Sequence, residues 1–226
     1  MKATKKLFKT EIVKRLKAQG TDEVLSEAAL PAYAHKNPVI DHIFWKRLKV
    51  VANYVHKKNK KSLKVLDFGC GTGVMSYELA TNSHEVVGLD LDLRPVHLLK
   101  ENINYPDSIN FMEGDLFDKN LEENTFDVVI ALDVLEHMND DQLRKYMGKF
   151  RTLLKNGGEV IISGPTENFL YKLGRKLAGQ DFTGDYHDSE IQSIRKIVSE
   201  TYEVKSLAKI LPILPLFDVF VAHKKA

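Results

Sequence analysis

From Leu63 to the C-terminus the sequence predicts an α/β fold with a mainly parallel, Rossmann-like sheet. Two observations carry this. Short apolar runs of strand length alternate with longer stretches of helical periodicity, which is the pattern of a sheet covered on both faces. The first run then breaks into a turn with glycines at alternate positions, Val65-Leu66-Asp67-Phe68-Gly69-Cys70-Gly71-Thr72-Gly73. A buried strand that opens into such a turn and then a helix is a ligand-binding device, because glycine admits positive φ and lets a ligand lie against backbone.

Length and composition set the frame. A chain of 226 residues with 43% hydrophobic and 28% charged content suits one α/β domain with an appendage. The single cysteine, Cys70, excludes an internal disulfide and a cysteine-cluster metal site, so no metal is expected. The opening residues lack the apolar core of a signal peptide, and no run is long enough to span a bilayer. A cytoplasmic location is expected. The net charge of +2 hides an asymmetry: residues 1–64 hold 16 Lys+Arg against 5 Asp+Glu (+11), and the rest 17 against 26 (−9). A basic front suggests an anionic contact: a phosphate or carboxylate, nucleic acid, or lipid headgroups.

Taken in order, residues 1–18 place Leu7, Phe8, Ile12, Val13 and Leu16 on one helical face with lysines opposite. Thr21-Asp22 caps a short helix that Pro31 ends, and Ala32–Asn37 is a connector carrying Tyr33 and His35. Pro38 opens a helix running to the basic segment Lys57–Lys61. Residues 1–62 therefore form a basic helical extension or lid, and 63–226 the main domain. Strands are expected at 63–68, 85–90, 108–112, 126–132 and 157–163. Helices fit 73–81, 94–104 and 139–155, the last stopped by Asn156-Gly157-Gly158. A helix at 167–178 and a capped one from Asp188 follow, and then two strands, Tyr202–Ile210 and Leu216–His223, joined through Pro212 and Pro215.

The glycine turn fits neither the dinucleotide fingerprint, whose third glycine would fall on Val74 or Ser76, nor a P-loop, which needs a following Gly-Lys-Ser/Thr. The acid before it, Asp67, repels a pyrophosphate and suits a cationic ligand with an ammonium or sulfonium group. Further pieces follow in sequence. A second strand ends on Asp90, 17 residues after Gly73, where a carboxylate can accept both ribose hydroxyls. Glu113-Gly114-Asp115-Leu116 follows the third strand, and Phe126–Met138 forms the fourth strand and its loop.

This set resembles the class I S-adenosylmethionine-dependent methyltransferases of the broad small-molecule group, over roughly residues 63–165. The resemblance implies a seven-stranded sheet of order 3-2-1-4-5-7-6 with the seventh strand antiparallel, and S-adenosyl-L-methionine as cofactor. It assigns Asp67, Gly69, Gly71 and Gly73 to the methionine end, Asp90 to the ribose and Asp115 to the adenine side, with Phe68, Cys70, Leu91, Gly114 and Leu116 as further cofactor-binding residues. Asp133 lines the methyl-transfer face after the cofactor-binding Leu132, and His137 belongs to the cofactor-site scaffold. Asp92, by contrast, reads as a helix cap.

A methyl group on a sulfonium is already activated, so a general base is needed only for a hydroxyl or amine acceptor. His187 and His137 are the candidate catalytic residues, and Tyr33, His35, Thr166, Asn168 and Tyr186 the substrate-side set. The tetrapeptide of exocyclic-amine nucleic-acid methylases is missing after strand four, and Cys70 is misplaced for cytosine C5 chemistry. The expected acceptor is a small molecule or a lipid- or glycan-linked, amphiphilic anionic one, with peripheral membrane contact a second expectation. Three alternatives stand: a cofactor-binding module without turnover, a nucleic-acid methylase guided by the basic front, and an aminopropyltransferase. Asp67 argues against the last, since it suits the amino-acid ammonium.

Overall fold

The computed structural model describes residues 1–19, 33–58, 62–166, 190–210 and 216–224. The chain divides into two compact units, Met1–Asn120 and Leu121–Ala226.

The first unit holds helices α1 (Lys2–Gln19) and α2 (Pro38–Lys58), then β1 (Lys64–Phe68), α3 (Val74–Ala80), β2 (Glu85–Asp90), α4 (Arg94–Lys100) and β3 (Ile109–Glu113). β1 pairs in parallel with β2, and β2 in parallel with β3, in the register Asp67↔Gly88 and Gly88↔Phe111. β1 carries Val65 and Leu66 fully buried, as expected of a strand covered on both faces. The front helices pack against the helix that follows β1: α1 and α2 both lie against α3. Phe8 is fully buried, its ring edge-on to Tyr77 at 5.4 Å. The buried face of α1 also takes in Thr4 and Glu11, which the apolar pattern does not reveal. Thr4 donates to Glu78, and Glu11 accepts from Arg15 and from Asn102. These bonds satisfy polar groups that burial would otherwise penalise.

The second unit holds β4 (Phe126–Leu132), α5 (Asp140–Leu153), β5 (Leu154–Pro165), α6 (Ile191–Thr201), β6 (Tyr202–Ile210) and β7 (Phe217–Lys224). β4 and β5 are parallel, while β7 runs antiparallel to both β5 and β6. The strand order is β3-β2-β1-β4-β5-β7-β6, the order and single reversed strand that the resemblance implies. Asn139 caps α5 through a reciprocal capping box with Gln142.

Two helix ends differ from expectation. α5 stops at Leu153, and the chain turns extended at Leu154 (φ −73°, ψ 135°), so β5 begins three residues before the expected 157. Leu154 pairs with Phe126 there, and the irregularity between Phe126 and Val128 absorbs the glycine turn. Buried Leu153 and Leu154 satisfy helix and strand alike, which is why periodicity misplaces the boundary. α4 ends at Lys100 rather than 104, because Asn102 and Ile103 both turn back to the Leu99 carbonyl. The expected helices at 22–30, 167–178 and from Asp188, and the proline join, lie wholly or partly outside the described residues. Among the described residues no helix is long and apolar enough to cross a membrane.

Candidate cofactor site

β1 delivers Asp67 into the interior with 3% exposure, and the chain leaves the strand through Gly69 (φ 71°), Gly71 (φ 52°) and Gly73 (φ 69°). All three sit in the left-handed region that β-carbons disfavour. The turn is tied back to β2: the Gly69 and Cys70 N–H groups donate to the Leu89 carbonyl at 2.8 and 3.2 Å. Gly73 starts α3 as its cap residue, and its N–H donates to the Cys70 carbonyl at 2.8 Å.

The two acids expected of the site meet on this turn. Asp90, at the end of β2, accepts from the Gly71 N–H at 2.6 Å and from the Asp92 N–H at 3.2 Å. Asp67 accepts from the Ser76 hydroxyl at 2.6 Å. Burial raises the Asp67 pKa to about 6 against the Ser76 hydrogen bonds, and the nearby Asp90 charge adds to the rise. Burial likewise pushes Asp90 up, partly offset by the backbone donors. The Cys70 thiol is buried and shifted upward, first by desolvation and then by these two carboxylates, so it is inert packing beside Leu93 and Val96.

Past β3, Gly114 (φ 121°) leads to Asp115, whose carboxylate accepts from the Phe117 N–H at 2.8 Å and caps a single 3-10 turn. Leu116 is buried, whereas Leu91 is 72% exposed. Asp92 accepts from the Arg94 N–H at 2.8 Å and pairs with its guanidinium, so it serves the start of α4 one residue ahead of the formal cap, Leu93.

In the second unit Leu132 ends β4, and Asp133 (φ 55°) adopts a left-handed conformation with its N–H on the Ser163 carbonyl at 2.8 Å. His137 is exposed on a 3-10 turn whose Glu136 is buried. Thr166 is half-buried, its N–H on the Leu216 carbonyl. Among the front-helix candidates, Tyr33 packs edge-on to Trp45 at 5.6 Å and its carbonyl accepts the indole N–H. His35 Nδ1 accepts the Asn37 N–H at 3.0 Å. Both are thus engaged within their own helical segment. Asn168, Tyr186 and His187 lie outside the described residues.

Sequence reasoning passed over three residues here: Ser76, the partner of Asp67; Thr72; and Tyr105, which donates to the Thr72 carbonyl at 2.7 Å. Only Ser76 left a signal, as the one aliphatic hydroxyl on the first turn of the helix after the glycines.

Residues 65–158 match the family described as "Methyltransferase domain". The strand order and the acid–glycine turn agree with a class I S-adenosylmethionine-dependent methyltransferase domain over that stretch. The chain is 35% identical over 106 residues to phosphoethanolamine N-methyltransferase 3 of Arabidopsis thaliana, covering 46% of this chain and 21% of the relative. It is 30% identical over 128 residues to a ubiquinone biosynthesis O-methyltransferase of Coxiella burnetii, covering 54% and 51%. The chain thus spans about half or less of the curated relatives it matches. Among solved structures, the magnesium protoporphyrin IX methyltransferase of Synechocystis PCC 6803 with bound SAH superposes with TM-score 0.65 at 22% identity, over 96% of this chain and 100% of that one. A Pyrococcus horikoshii OT3 protein gives 0.67 at 21%, over 91% and 100%.

The residues present fit the cofactor of this class. A β-carbon built on Gly71 meets nothing within 4 Å, so the turn has open space where backbone must approach a ligand. Thr72 is buried, and its hydroxyl has no hydrogen-bond partner among the described residues. Asp67 and Asp90 are carboxylates with acceptor capacity left over, matched to an ammonium and to ribose hydroxyls. No cluster of metal-ligating side chains occurs among the described residues.

Proposed function

We propose that the chain is an enzyme transferring the methyl group of S-adenosylmethionine to an oxygen or nitrogen nucleophile of a small-molecule, lipid-linked or glycan-linked acceptor. The observation that carries this reading is the convergence of a buried acid, Asp67, and a half-buried one, Asp90, on one glycine turn whose Gly71 side is open. When bound, the cofactor supplies a methyl group on a sulfonium, activated without help from the protein. The chain's part is to bind and align.

Asp67 holds the ammonium, Gly71 lets backbone approach, and Asp90, fixed by the Gly71 and Asp92 N–H groups, accepts from the ribose. Asp115 and Leu116 serve the adenine side. For a hydroxyl or amine acceptor, His187 takes the proton, with Thr166, Asn168 and Tyr186 on the acceptor side. Two relatives support a small acceptor through their names, one a phosphoethanolamine N-methyltransferase and the other a ubiquinone biosynthesis O-methyltransferase.

Calorimetric titration with S-adenosylhomocysteine, followed by incubation of cell extract with methyl-labelled cofactor, tests the reading. Micromolar binding and label in one small-molecule or lipid fraction are expected. A folded protein that binds no S-adenosylhomocysteine ends the proposal. Binding without label in any fraction returns it to a non-catalytic module, and label in nucleic acid would replace the acceptor class.

A further inference from the structure

The outer face of α2 carries a row of exposed residues with no acid among them, Val39, His42, Lys46, Lys49, Asn53 and Lys57, whose charges are all lysines. At 3.6 residues per turn these positions fall within a band of about 80°, and at 1.5 Å per residue the row is about 27 Å long. The opposite face, with Ile43, Leu48, Val51 and Val55, is buried. The only acid of the helix is Asp41, and it cannot neutralise the row. It is buried, and Lys5 and Lys9 of α1 hold it at 2.5 and 2.6 Å. Lys46, Lys49 and Lys57 form no ion pair among the described residues. The row continues in sequence into Lys57-Lys58-Asn59-Lys60-Lys61.

We propose that this face of α2 docks the protein on an anionic lipid surface. A straight, one-sided row of charge matches a plane. Its cations are lysines, whose long stems let compact charges reach a headgroup layer. The one arginine of the helix, Arg47, is turned inward at 1% exposure, and the row presents no Phe, Tyr or Trp ring for stacking on a base, its one aromatic side chain being the imidazole of His42. Val39, 60% exposed at the start of the row, adds an apolar contact below the headgroups. These features favour lipid over nucleic acid as the occupant. The surface is separate from the glycine turn, and the proposal stands whether or not the chain transfers methyl groups.

Vesicle flotation with the full chain tests it, using phosphatidylcholine alone against phosphatidylcholine with a third phosphatidylserine. The protein is expected to float with the anionic vesicles only, and to be released as salt shortens the screening length. Each surface lysine contributes about fivefold in partition, so Lys46→Gln, Lys49→Gln and Lys57→Gln together lower it by about a hundredfold. Circular dichroism and the melting curve confirm that the triple variant is folded. If it is not, Lys49→Gln alone is read, with about a fivefold loss expected. Equal binding to both vesicles, no binding to either, or partition unchanged in the folded variant overturns the proposal. So does single-stranded RNA that binds more tightly than the vesicles and loses affinity in the same variant, which would make the row a nucleic-acid surface.

Discussion

The Tyr105 hydroxyl donates to the Thr72 carbonyl at 2.7 Å, and its ring stands edge-on to Phe111 at 5.3 Å and to Phe8 at 6.0 Å. A connector side chain thus holds the glycine turn, and α1 packs against that side chain. Tyr105→Phe keeps the ring packing and leaves one buried carbonyl without its donor. The expected cost is about 1–2 kcal/mol of stability, with a several-fold weaker affinity for S-adenosylhomocysteine as the turn loosens. Tyr77→Phe is the control, since its ring sits in the same cluster, 5.9 Å from Tyr105, without a hydroxyl bond to the turn. Melting curves and calorimetry on both variants decide it. Equal losses would mean the Tyr105 hydroxyl contributes nothing specific.

Gly71 and Gly73 separate binding from stability. A β-carbon at Gly73 meets Phe111 at 2.8 Å and Tyr105 at 3.1 Å, so Gly73→Ala must displace the aromatic cluster and the start of α3. At Gly71 the space is open, and substitution adds only left-handed backbone strain of about 1–2 kcal/mol. Gly71→Val should therefore abolish cofactor-product binding while the chain stays folded, and Gly73→Ala should lower the melting temperature more. A Gly71→Val protein that binds normally would remove the turn from the site.

The parts of this site legible in the sequence are those encoded in chain order. The first acid lies near the end of β1, the alternate glycines follow it, the second acid ends β2, and parallel pairing of β1 with β2 brings Asp90 onto the turn. What escaped depends on contacts across the fold. Tyr105 reaches Thr72 over 33 residues, and the burial of Thr4 beside Glu78 spans 74. The α5 end escaped for a local reason, because Leu154 is equally apolar in either state and its strand partner Phe126 decided the matter.

His187 carries the acceptor-side prediction. If it takes the acceptor's proton, His187→Ala lowers turnover by about a hundredfold or more while cofactor affinity is unchanged. A structural role would instead lower the melting temperature and leave turnover per folded molecule intact. His137, exposed on its turn, is the comparison: His137→Ala is expected to change turnover less than His187→Ala does.

Asp67 links pH to both stability and binding. Its folded pKa of about 6 stands above the ordinary 3.8 because the carboxylate is buried, with Ser76 only partly compensating. A raised carboxyl pKa means the folded state holds the proton more tightly than the unfolded state between these values. Stability from this group is therefore present below about pH 4 and is lost as pH rises through about 6, by roughly 2–3 kcal/mol at neutral pH. Asp67→Asn keeps an acceptor for the Ser76 hydroxyl and carries no charge. It should melt higher than the wild type near neutral pH, with the difference vanishing towards about pH 4. Binding runs the other way, because the ligand ammonium needs the ionised carboxylate. Wild-type affinity for S-adenosylhomocysteine should fall about tenfold per pH unit below about pH 6, whereas Asp67→Asn should bind weakly with no such slope. Calorimetry across that range measures the slope, and a wild-type affinity that stays flat would show that Asp67 does not meet the ammonium.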